Sequence, residues 1–283
     1  MHEKKVEKFY STGSKRRKPD YFKIKQFDDG FLSFGYWKSG RESYLRATRR
    51  LLDYVIINSG IKNPNRMLNV ACGYGTETFA YFKKFKPKFI QGIDITKMHT
   101  IYANNKAKML GLAKSVRFKH GDACKLDFPE KSFSHIIGVE GPAHFNTREE
   151  FFRAANRVLE DDGELLLTDI IVGPKFNKKN PIHNAVVKFV ARTWVCPKAN
   201  WTKEKEYIAQ LKRAGFNIKF FKKIGKRVYP GYARNGFTLR TFRIRLKQRG
   251  FFATFALTFI SLMLGVIYKT GYMEYIYVKA QKC

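Results

Sequence analysis

The chain has 283 residues, with 55 Lys and Arg against 23 Asp and Glu, for a formal net charge of +32. Hydrophobic residues make up 44% of it, which excludes a disordered chain, and 21 Gly with 9 Pro are too few for a collagen-like or linker sequence. The four cysteines (Cys72, Cys124, Cys196, Cys283) form no CxxC pair, so no zinc site or disulfide framework is indicated and a reduced, cytoplasmic compartment is the simplest reading.

The first twenty residues carry no apolar run and read as no signal peptide; the basic run KRRK at 15–18 reads as solvated. Segment 42–58 places Leu45, Leu51, Leu52, Val55 and Ile56 at helical spacing and ends at Gly60. From Met67 short β-rich runs alternate with helical ones. Strands are predicted at 67–71, 89–94, 116–122, 133–139 and 164–172. Helices are predicted from Glu77, over 98–110 and over 148–159. A helix at 202–214 and strands at 217–228 and 272–282 follow. Alternation of this kind predicts an α/β fold, a parallel sheet with helices on both faces.

Residues 173–250 hold 21 Lys and Arg and two acids, Glu204 and Glu206. Such a field favours a polyanionic partner (nucleic acid, anionic lipid or a phosphorylated substrate), unless it is only a solvated surface. Residues 251–268 carry no charge over 18 positions, close to the length of a membrane span.

The run Asn69-Val-Ala-Cys-Gly-Tyr-Gly75 falls where a strand turns into a helix, and its glycines let a ligand approach the main chain. About twenty residues on, Asp94 closes the next strand, where a carboxylate can accept ribose hydroxyls. Asp122 closes the third strand and can meet an adenine amino group. Three sites at the C-terminal ends of neighbouring strands describe one crevice. Nicotinamide binding fits less well, because Thr78 stands where GxGxxG requires its third glycine.

In this order, LNVACGYGTET, GIDIT, GDACKLDF, SFSHIIGVEGPAHF and RVLEDDGELLLTDI resemble the successive motifs of class I S-adenosylmethionine-dependent methyltransferases. The resemblance is nearest to the branch with macrolide and indolocarbazole sugar O-methyltransferases and tocopherol and sterol C-methyltransferases. It implies a Rossmann-like seven-stranded sheet whose last strand inserts antiparallel between the fifth and sixth. Three regions follow: an N-terminal helical cover (1–60), a cofactor-binding core (61–172) and a basic C-terminal part (173–283) with a hydrophobic cap before the last strand.

The resemblance places S-adenosylmethionine against Asn69, Ala71, Cys72, Gly73, Gly75, Asp94, Ile95, Asp122, Ala123 and Glu140. It adds Tyr36 from the segment Phe34-Gly-Tyr-Trp37. It further implies His144 as general base, with Asp169 as its partner. No metal is expected. Two departures stand out: Asn69 and Ala71 replace the usual Asp and Gly, which weakens the site for a methionyl ammonium or marks a degenerate, non-catalytic member.

The expected reaction is methyl transfer to O, N or C of a lipophilic small molecule, with an anionic membrane surface as a further partner. A nucleic-acid methyltransferase is disfavoured, because Glu140-Gly-Pro-Ala stands where an Asn-Pro-Pro-Tyr-type motif is expected. Three readings of 251–268 stay open: a buried cap over the site, a monotopic segment in one leaflet, and a true span.

Overall fold

In the computed structural model, which describes residues 2–15 and 30–283, the alternating pattern closes into one seven-stranded sheet. Its strands are β1 (Arg66–Val70), β2 (Phe89–Asp94), β3 (Val116–His120), β4 (Phe133–Val139), β5 (Leu159–Val172), β6 (Phe216–Lys223) and β7 (Met273–Lys282). Their order is β3-β2-β1-β4-β5-β7-β6. β1 to β5 pair in parallel, and β7 runs antiparallel between β5 and β6.

Strands covered on both faces must be apolar at consecutive positions, and β1, β5 and β7 are. Met67, Leu166, Tyr275 and Tyr277 pack into one core, and their neighbours Leu68, Leu165, Leu167, Ile276 and Val278 pack into the other. The first core is covered by α2 (Tyr44–Ser59), α3 (Thr76–Phe85), α4 (Lys97–Met109), α8 (Tyr229–Gly236) and α10 (Phe251–Lys269). The second is covered by α5 (Arg148–Val158) and α7 (Glu204–Arg213). Caps set the helix starts. The Ser43 hydroxyl accepts from Arg46 N, and the Thr147 hydroxyl accepts from Glu150 N.

Four helices and one strand end add to or correct the sequence reading; α8 and α9 (Leu239–Arg249) are two of those helices, over stretches for which the sequence predicts no element. The N-terminal cover includes α1 (His2–Lys15), and α6 (Pro181–Thr193) occupies a stretch for which the sequence predicts no element. Asn180 caps α6 and Pro181 opens it. The strand expected over 217–228 ends at Lys223. There the chain passes through a single turn at Gly225–Arg227, where Gly225 N donates to Glu274 Oε1 (3.0 Å), and enters α8; a Cβ at Gly225 would lie 2.2 Å from that carboxylate. The basic run at 15–18 lies outside the described residues beyond the backbone of Lys15.

Between α8 and α10 comes α9 (Leu239–Arg249). α10 seats on α8 through small residues: a Cβ on Gly265 would sit 2.7 Å from the Ala233 Cβ, and one on Gly236 would sit 2.4 Å from the Ser261 Cβ. Overpacking such a seam costs about 1–3 kcal/mol. Gly265→Val is therefore expected to destabilise the fold by that free energy, read as a lower urea midpoint. An unchanged midpoint would show that the seam is not close-packed in solution.

Candidate functional site

The parallel strands leave β1 in opposite directions, β2 on one side and β4 on the other, and a crevice opens at their C-terminal ends. A cleft with about 960 Å3 of empty space lies there. Each strand end delivers part of its lining: Ala71, Cys72 and Gly73 after β1, Asp94 and Ile95 at the end of β2, Asp122 and Ala123 after β3, Glu140 after β4.

Asp94 organises the turn. Its Oδ2 accepts from Gly73 N (2.8 Å), and its Oδ1 accepts from Thr96 N (2.8 Å) and pairs with His99 Nδ1 (3.1 Å). Burial opposes its ionisation, but the hydrogen bonds from His99, Thr96 and Gly73 win and hold its pKa below the usual carboxylate value. An ionised carboxylate offers about four acceptor positions. Three are filled, which leaves one acceptor position, on Oδ2, open to a ligand hydroxyl.

Glu140 sits in the left-handed region (φ 59°), and its Oε1 accepts from Phe34 N (2.8 Å) and from the Tyr275 hydroxyl (2.7 Å). Burial nevertheless pushes its pKa up to about 8. Glu77, in the first turn of α3, lines the same cleft and is likewise pushed by burial to about 8. With Glu3, five carboxylates line the cleft and no Lys or Arg does, among the described residues. In a chain with 55 basic residues this is a selective exclusion. The cleft is built for a ligand with positive charge, and it opposes a pyrophosphate.

Ala71 adopts φ 52°, a conformation that favours glycine. Its methyl group occupies the space over Gly141, where a second Cβ would be 2.5 Å away. Gly141 therefore accommodates the departure at 71.

Three predicted cofactor contacts do not line the cleft. Asn69 is buried in β1 and donates to Thr78 Oγ1 (2.8 Å), so it ties the strand to α3. Gly75 starts α3 and is needed for packing: a Cβ there would lie 2.6 Å from the Phe118 ring. Tyr36 stacks on Tyr54 (5.0 Å between centroids), because Gly35 turns the segment so that Ser33 and the Phe34 amide face the site instead.

His144 and Asp169 are not partners. Side chains alternate along β5, so the Thr168 hydroxyl meets Glu140 N and the Tyr275 hydroxyl, while Asp169 points to the opposite face. There its carboxylate is held by Arg148 Nε (2.7 Å) and Nη2 (3.3 Å), both side chains fully buried. The His144 partner is Tyr10 of α1, whose hydroxyl lies 2.9 Å from Nε2. Burial pushes the Tyr10 pKa up and lowers that of His144 to about 4, so both are neutral at pH 7. His144 Nδ1 is buried with no hydrogen-bond partner among the described residues.

Glu77, Tyr10 and His99 escaped the sequence reading. Val6 and Tyr10 at i and i+4 are the signal that would have given α1 an inner face.

A second cavity, with about 610 Å3 of empty space, meets the cleft at His144. Its walls include Phe34, Val190 and Trp194, with Leu264, Ile267 and Met273, and no charged side chain lines it among the described residues.

A seven-stranded sheet with an antiparallel seventh strand and a carboxylate-lined crevice at its switch point defines the Rossmann-like fold of class I S-adenosylmethionine-dependent methyltransferases. Residues 67–163 match the family described as methyltransferase domain, and this part of the chain is such a domain. Over 194 residues the chain is 28% identical to an erythromycin 3''-O-methyltransferase of Saccharopolyspora erythraea, covering 67% of this chain and 62% of the relative. Over 222 residues it is 25% identical to a sterol 24-C-methyltransferase of Pneumocystis carinii, covering 77% and 57%. The chain thus spans about three fifths of these relatives. Among solved structures, geranyl diphosphate C-methyltransferase of Streptomyces coelicolor A3(2) superposes with a TM-score of 0.75 at 11% identity, covering 100% of this chain and 98% of that one.

S-adenosylmethionine fits this cleft, since its sulfonium and ammonium carry the charge that carboxylates favour, and no Lys or Arg lines it among the described residues. A cation beside Glu140 or Glu77 favours the ionised carboxyl, so binding at pH 7 is expected to release protons, and affinity should rise as pH approaches 8. Calorimetry at pH 7 in buffers of different ionisation enthalpy reads this directly, and Glu140→Gln should reduce the release. Buffer-independent heats would refute the charge assignment.

Proposed function

We propose that the chain transfers a methyl group from S-adenosylmethionine to O, N or C of a lipophilic small molecule held in the apolar cavity. The observation that carries this is the meeting, at His144, of a carboxylate-lined cleft and an apolar cavity, the first without Lys or Arg and the second without charged side chains among the described residues. Enzymes of this class use the cofactor as a sulfonium-borne electrophilic methyl group. The relatives named above for sugar O- and sterol C-methylation support a small-molecule acceptor.

The residues of this chain do the rest. Glu140, Glu77, Asp94 and Asp122 hold the cofactor's polar groups. α1 covers the cleft with Val6 and Tyr10 and excludes water. In the tautomer protonated on Nε2, His144 donates to Tyr10 Oη and leaves Nδ1 to take the proton of an acceptor hydroxyl. Tyr10 and Asn200 orient the ring: the Asn200 amide donates to the carbonyls of Pro142 (3.3 Å), Ala143 (3.1 Å) and Phe145 (2.7 Å), which wrap the turn that carries it. We place the reaction on the cytoplasmic face of a membrane, with 251–268 as peripheral attachment. The apolar composition of that segment and the basic residues before it support this placement.

The test is transfer of labelled methyl from S-adenosylmethionine into organic extracts and, separately, into RNA. Label is expected in the organic phase. Label confined to RNA would replace this reading with the nucleic-acid one. With a hydroxyl acceptor, His144→Ala should lower kcat by about 100-fold and leave cofactor affinity unchanged. Undiminished turnover would limit His144 to shaping the cavity.

A further inference from the structure

A helix of a soluble protein turns its apolar stripe inward. α10 does the reverse. Phe252, Phe255, Phe259, Leu262 and Val266 recur at steps of three and four and are exposed, Phe252 to 88%. Its inward face carries small and polar residues, Thr254, Ser261 and Gly265, together with Leu264 and Ile267. Only 28% of its apolar 18-residue window is buried. Beside it, α9 exposes Leu239 and Leu246, and Arg245 crosses to Ser261 Oγ (3.1 Å), joining the two helices as a hairpin. Arg240 and Arg243 on α9 are exposed and enter no ion pair among the described residues.

The charge identifies what this surface fits. Residues 239–269 contain six Lys and Arg and no Asp or Glu. A second copy of the chain would bring the same cations to the contact. An anionic bilayer supplies both hydrocarbon for the phenylalanines and negative headgroups for the arginines. A transmembrane path is closed, because β7 starts at Met273, four residues after Lys269, and pairs with both β5 and β6.

The same helix walls the acceptor cavity. Leu264 and Ile267 line it, and Leu262 and Val266, their neighbours in sequence, face outward. We propose that the α9–α10 hairpin docks the protein on an anionic leaflet without spanning it, and that the apolar cavity takes its substrate from that leaflet past the helix that forms its wall. The second half rests on the reading of this cavity as the acceptor site.

The full-length protein should float with phosphatidylcholine vesicles that contain phosphatidylglycerol, and less with phosphatidylcholine alone. Replacing Phe252, Phe255 and Phe259 by Asp together should lower vesicle binding by at least about tenfold, with S-adenosylmethionine affinity by calorimetry unchanged. Arg240→Gln with Arg243→Gln should lower binding to the anionic vesicles by about 25-fold, about fivefold per residue, and reduce its salt dependence. Failure of the wild type to bind anionic vesicles while it binds S-adenosylmethionine would overturn the docking and leave the methyltransferase reading standing. Loss of both would instead remove that reading.

Vesicles with brominated acyl chains test the route. Bromine quenches indoles at contact, and Trp194 and Trp201 line the cavity. Quenching that Trp194→Phe diminishes is expected. Binding without quenching would retain the docking and overturn the delivery of substrate through the α10 wall.

Discussion

The bidentate pair of Arg148 and Asp169 is the contact on which the acceptor side of the molecule is built. It joins the N-terminus of α5 to the end of β5 inside a region that admits no water to either side chain. The remaining guanidinium hydrogens reach Asn200 O, Thr202 Oγ1 and Ile170 O. Asn200 in turn grips the turn that presents His144. Removal of one partner from such a buried pair costs about 3–5 kcal/mol, because the other charge stays behind unpaired. The position of the His144 ring thus depends on an ion pair on the far side of the strand, and Asp169 supports the site without touching it.

A second constraint is the separation of charge. Basic residues crowd the exterior, yet the cleft collects carboxylates from five places in the chain. Low local dielectric raises the pKa of Glu77 and Glu140, so protonation limits the repulsion among the clustered carboxylates. The cavity beyond His144 is lined by no charged side chain among the described residues. A molecule with one cationic and one apolar neighbour to accommodate finds the two environments side by side.

Most of the sheet was legible from the alternation of apolar runs, since β1, β2, β4, β5 and β7 are largely buried, and α2 and α5 start at side-chain caps. The positions at strand ends were legible for the same reason: Gly73, Asp94 and Asp122 follow from where β1 to β3 stop, while Glu140 came with the family resemblance. What spacing could not convey is which face a residue takes. Asp169 and Thr168 differ by one position, and Tyr36 and Phe34 are separated by a glycine with positive φ, so a motif places both neighbours while backbone geometry selects one. Contacts between distant segments were equally hidden. Tyr10 meets His144 across 134 residues, and nothing in either local pattern marks the other. α6 was missed because its inward face, Val187 and Ala191, is brief and β-branched residues dominate its middle.

Ala71 and Gly141 occupy one small volume from two strand ends. Since only one of them can carry a methyl group, the two positions are not free to vary independently. Gly141 has a right-handed helical backbone (φ −71°, ψ −44°), which tolerates alanine, whereas Ala71 holds a conformation costing about 1–2 kcal/mol. Moving the methyl group from 71 to 141 would relax the backbone at the mouth of the cleft and keep its volume. The shortest accepted path between the two arrangements runs through glycine at both sites, because the opposite order would force two methyl carbons into one place.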